Sequence, residues 1–119
     1  MRKNDCLRWA KALMNGKHEK FKGRMSNASD SEATPTAMCC LGVANEEFKV
    51  EGYKLDRENG AAFSLSKVGI LGNPNPQIFG LSCYTINDGR PIVGEEGFTH
   101  EQIGILLLFA IETGEYKNI

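Results

Sequence analysis

Between Asn4 and Asn15 the apolar positions Cys6, Ala10, Leu13 and Met14 recur at helical spacing while Arg8 and Lys11 fall on the other side. That pattern predicts an amphipathic helix, and Gly16 supplies the permissive residue that helices favour just past their last turn. Trp9 sits at the edge of the stripe, so its ring is read as a lid on the core, with its indole nitrogen needing a partner. Residues 26–36 are small, polar and interrupted by Pro35, which predicts a surface loop. From Ala37 the apolar period returns: Met38, Leu41, Ala44 and Phe48 predict a short helix to about Lys49, with a strand through Met38 to Val43 as the alternative. Tyr53 to Leu65 is expected to form one or two short strands.

The second half is more punctuated. Residues 69–80 combine three glycines with two Asn-Pro steps, and proline drives the residue before it out of helical geometry, so a structured loop is expected there. Leu81 to Ile86 has the aromatic and β-branched residues of a strand, Asn87, Asp88 and Gly89 read as a hairpin turn, and Pro91 would start an edge strand through Ile92 and Val93. The clearest signal follows. Thr99 is placed to cap a helix whose Gln102 reaches back in a capping box, with Phe98 and Ile103 as a hydrophobic staple. This helix should run from about His100 to Thr113, stop at Gly114 and form the central core element.

Together these elements predict one α+β domain over residues 1–119, with about three helices packed on a short antiparallel sheet. Its 119 residues, 41% hydrophobic and 24% charged, suffice for a single core without metal or disulfide support. Fourteen basic against 15 acidic residues leave a formal net charge of −1, so no global field draws the chain to nucleic acid or an anionic membrane. Any anion site must be local. The apolar run Ile103 to Ile111 is far shorter than the roughly 20 residues of a membrane span. Cys6, Cys39, Cys40 and Cys83 follow no secretory signal pattern, and reduced thiols in a cytosol are expected.

Chemistry enters at one segment. Lys17, His18, Lys20, Lys22 and Arg24 fall within eight positions, with Phe21 among them and glycines at both ends. Glycines allow close backbone approach and the cations suit phosphates, although such runs are often plain solvated surface. The segment lacks the Gly-Lys-Ser or Gly-Lys-Thr step of a nucleotide-hydrolysing phosphate loop. Cys39 and Cys40 lack the two-residue spacer of a zinc ligand pair, and no metal or other cofactor is expected. Cys40 as a nucleophile would need His18 or His100, and a packed thiol is its commoner fate. Glu95, Glu96 and Glu101 read as favourable charge at a helix start, and His100 as an exposed, ordinary residue. Asn87, Asp88 and Arg90 offer an amide, a carboxylate and a guanidinium that suit a polar ligand's edge, although turn chemistry alone accounts for the first two.

The succession RWAKALMNGKHEKFKGRM and then MCCLGVA resembles a group of short phage and prophage proteins of uncharacterised function. The similarity covers Leu7 to Ala44 and extends more weakly over Ile86 to Ile111, through TINDG and FTHEQIGILL. GRPIVGEEG makes a longer spacer than that pattern has, and nothing between Phe48 and Leu81 matches it. The resemblance carries no catalytic residues; it implies an accessory protein of the bacterial cytoplasm, in a class that includes counter-defence factors that sequester nucleotide signals or bind host proteins. The expectation is therefore a non-enzymatic binder of an anionic small molecule through Lys17, Lys22 and Arg24, assisted by Asn87, Asp88 or Arg90. The alternative is a module that inhibits a bacterial host protein, with homo-oligomers open in either case. A thiol enzyme ranks third and nucleic-acid binding last.

Overall fold

The structure is a computed structural model that describes residues 1–20, 37–50, 60–90 and 95–119. Helix α1 (Lys3–Met14) buries Cys6, Trp9, Ala10 and Leu13, and the turn out of it runs through Gly16 at φ +72°, a left-handed conformation that suits glycine. Strand β1 (Glu19–Lys20) pairs in parallel with β2 (Ala37–Met38), and α2 (Cys40–Glu47) follows at once. Helix α3 (Gly60–Lys67) leads through a turn-rich segment to the hairpin β3 (Gln77–Ile78) and β4 (Leu81–Ser82). Helix α4 (Cys83–Asp88) runs into β5 (Gly89–Arg90), which pairs antiparallel with β6 (Glu95–Glu96). The chain closes with α5 (His100–Thr113) and a 3-10 turn (Glu115–Asn118) that returns Ile119 to the core.

The architecture is helix-rich α+β. Among the described residues there are five α-helices and three two-stranded ribbons, in place of three helices on one antiparallel sheet. Both added helices replace predicted strands. In α3, Ala61, Ala62 and Leu65 supply one buried helical face, where residues up to Leu65 had been expected to extend. In α4, the Ser82 hydroxyl accepts from Thr85 N–H at 3.1 Å and caps a helix through the aromatic and β-branched residues expected to form a strand. The predicted Asn87 turn is therefore the end of α4. The surface loop 26–36, the Tyr53 end of the predicted strands and the Ile92–Val93 strand lie outside the described residues.

One hydrophobic core joins all five helices. Cys6 Sγ approaches the Leu107 carbonyl at 3.7 Å while Gly104 faces Ala10 and Met14, so α1 and α5 run antiparallel in close contact. On the other flank of α1, the fully buried Trp9 donates from Nε1 to the Cys40 carbonyl at 2.9 Å, joining α1 to α2. Arg8 closes the rim of that joint against Glu47 and the Phe48 ring. The capping box at Thr99 forms in both directions, and Gly114 ends α5 at φ +83°. No helix among the described residues is long and apolar enough to cross a membrane.

Candidate functional site

The described part of the basic segment, Lys17 to Lys20, runs into the short β1–β2 ribbon, in which Glu19 and Lys20 pair in parallel with Ala37 and Met38. Its base is tied to the start of α5. Lys20 Nζ donates to the Phe98 carbonyl at 3.0 Å, and His100 Nδ1 meets the His18 carbonyl at 3.1 Å. Phe98 N–H in turn donates to the Ile86 carbonyl at 2.8 Å, and Gly97 lies so close to the Asn87 backbone that a β-carbon there would collide with it. The β1–β2 ribbon and the end of α4 are thus linked through residues 97–100. Asn87 and Asp88 lie at that end of α4 and Arg90 just beyond it in β5, while Lys17 lies two residues ahead of β1.

Within that region the individual residues differ. Lys17 is exposed, and its backbone N–H is held by the Asn15 side chain at 2.9 Å. Its charge and burial both lower the pKa of His18, burial being the larger cause. Asn87 is only 1% exposed: its Oδ1 accepts from Cys40 N–H at 3.0 Å and its Nδ2 donates to Asp88 Oδ1 at 2.8 Å. The amide therefore joins the end of α4 to the start of α2, with its polar atoms directed inward. Asp88 is half-buried beside it, and Arg90 lies in β5 opposite Glu95. Lys22 and Arg24 lie outside the described residues.

His100 corrects the sequence reading. Far from exposed, it is 7% accessible, wedged between α5 and the β1–β2 ribbon. Donation to a carbonyl requires the proton on Nδ1, and Nε2 is buried with no hydrogen-bond partner among the described residues. Burial holds its pKa below the usual 6.5, opposed by the His18 and Met38 backbones. No local signal marks this position, because its surroundings come from a ribbon distant in sequence.

Two donors at the start of α2 are already satisfied. Cys39 Sγ accepts from Gly42 N–H at 3.4 Å as the N-cap, and Asn87 occupies Cys40 N–H, so these donors are spent within the protein. The thiols are poor nucleophiles: burial pushes Cys39 up to about 12. Cys40 is raised well above 9 by its hydrogen-bonding contact with Cys83 and by burial. All four cysteines are free, and no group of His, Cys, Asp and Glu among the described residues has the arrangement of a metal site. No protein-family profile, curated protein or solved structure matches the chain.

Proposed function

We propose that this is a phage-type accessory protein that binds an anionic small molecule, a nucleotide being the expected class, and carries out no chemistry on it. The observation that supports this reading most directly is the link from Lys20 to Phe98 and on to Ile86, which connects the described start of the cationic segment to α4. In this reading Lys17, Lys22 and Arg24 neutralise the phosphate, while Asp88 or Arg90 contacts a sugar hydroxyl or base edge. Asn87 contributes by fixing that turn against α2. The raised thiol pKa values favour a binder over a thiol enzyme.

Thermal shift against linear and cyclic nucleotides tests the proposal. Saturation at 100 times the dissociation constant adds about 2.7 kcal/mol of stability, and reversing Lys17, Lys22 and Arg24 to glutamate should remove that gain. A flat response to every nucleotide at millimolar concentration overturns it. The second reading, inhibition of a bacterial host protein, draws support from the exposed aromatics Phe79 and Tyr84, 43% and 49% accessible. A lysate partner captured without nucleotide, and retained by the charge-reversed variant, would favour it.

A further inference from the structure

The antiparallel pair α1 and α5 leaves an apolar seam on its outer side. Helical spacing puts Lys3, Leu7, Lys11 and Met14 on one stripe of α1, along the edge next to α5. On α5 the matching stripe carries Glu101, Ile105, Leu108, Phe109 and Glu112. Its middle is apolar: Met14, Ile105 and Phe109 are 39%, 40% and 55% exposed, and Met14 lies directly over Gly104. Both lysines lie on the α1 side and both glutamates on the α5 side, one of each at either end. Among the described residues none of these four charges makes an ion pair within the chain.

We propose that this seam binds a second copy of the chain, completing a four-helix bundle in which α1 of each copy lies on α5 of the other. The charges select the symmetry. Because Gly104 faces Ala10 and Met14 while Cys6 faces Leu107, Lys11 lies toward the Glu101 end and Lys3 toward the Glu112 end. A two-fold axis parallel to the helices sets Lys11 against the partner's Glu101 and Lys3 against the partner's Glu112. An axis across the helices would oppose Glu101 to the partner's Glu112 and Lys3 to the partner's Lys11, and like charges facing each other suppress that arrangement. The first arrangement is isologous, buries Ile105, Phe109 and Met14 together, and makes every neighbouring helix pair antiparallel. Two helices side by side offer a face of about 20 by 20 Å, at the low end for specific interfaces, so the dimer should depend on concentration.

Sedimentation velocity from micromolar to near-millimolar protein tests this. A monomer–dimer equilibrium is expected, and Phe109→Glu should leave only monomer while its far-UV circular dichroism and urea midpoint show it folded. Lys11→Glu should weaken association about tenfold, and adding Glu101→Lys should restore it. A monomer at every concentration overturns the proposal, as does a dimer that survives Phe109→Glu. A dimer indifferent to both charge variants overturns the arrangement, because the selected symmetry rests on those pairs.

Discussion

At the scale of single residues, the two polar side chains that matter most are buried, and each joins segments distant in sequence. Asn87 accepts from Cys40 N–H across 47 positions. Its truncation to alanine would leave a buried donor without an acceptor, at a cost of about 1–3 kcal/mol, measured as a lower urea midpoint with an unchanged slope. An unaltered midpoint would show that water replaces the amide and that the bond is dispensable. His100 makes a prediction about pH. Burial lowers its folded pKa, so the unfolded chain binds the proton more readily. Its contribution is complete above the unfolded value of about 6.5 and is lost as the pH falls through the depressed folded value. His18 is shifted in the same direction, so both act together. The urea midpoint should therefore fall between pH 7.5 and 5.5 (about one unit either side of that value), and less so in His100→Asn, whose Nδ2 can still donate to the His18 carbonyl. An equal fall in both proteins would remove His100 as the cause.

At the scale of elements, what could be read in advance followed from how local the determinants are. Helix α5 was legible because Thr99, Gln102 and Gly114 specify its ends within a few residues, and α1 because its apolar period is regular. Helix α4 was not. Its Tyr84, Thr85 and Ile86 favour a strand, and the helix there is held by the Ser82 cap and by Asn87 reaching α2. The basic segment was legible as a cluster of charge, but the link from Lys20 through Phe98 to Ile86 rests on backbone groups of Phe98 and Ile86 that no spacing encodes. Close approach of α1 to α5 was equally hidden, because Gly104 lies inside a helix where glycine ordinarily costs stability. A β-carbon there would meet the Ala10 carbonyl at 2.9 Å and run into the Met14 side chain. Gly104→Ala should gain about 1 kcal/mol in helix propensity yet lose more to this clash, for a net destabilisation of about 1–2 kcal/mol. Pairing it with Met14→Ala should recover part of the loss by clearing the flexible clash and leaving the backbone one. If Gly104→Ala is more stable than the parent, the helices have room to separate.

At the scale of the whole molecule, the four thiols report on how the domain opens, because they lie on α1, α4, the first turn of α2 and its cap. Burial pushes Cys6 up to about 11 and Cys39 to about 12, so in the native state little thiolate exists at pH 8. A thiol held that far above the ordinary range carries much less thiolate, and iodoacetamide labelling of Cys39 should be correspondingly slow. Cys6 is also fully buried against the α5 backbone, so reaching it requires α1 to leave α5, which dismantles the largest part of the core. Its labelling should thus be slowest and should accelerate with urea along the global unfolding free energy. Cys39, partly buried at the start of α2, should label by a smaller local opening and respond less to urea. Mass spectrometry of the labelled peptides separates the four sites. Rapid native-state labelling of Cys39 or Cys40 at neutral pH would mean an activated thiolate, and would revive the thiol-enzyme reading at the expense of the binding one. Slow labelling at both, with Cys6 following global stability, is the behaviour expected where the thiols serve packing and not catalysis.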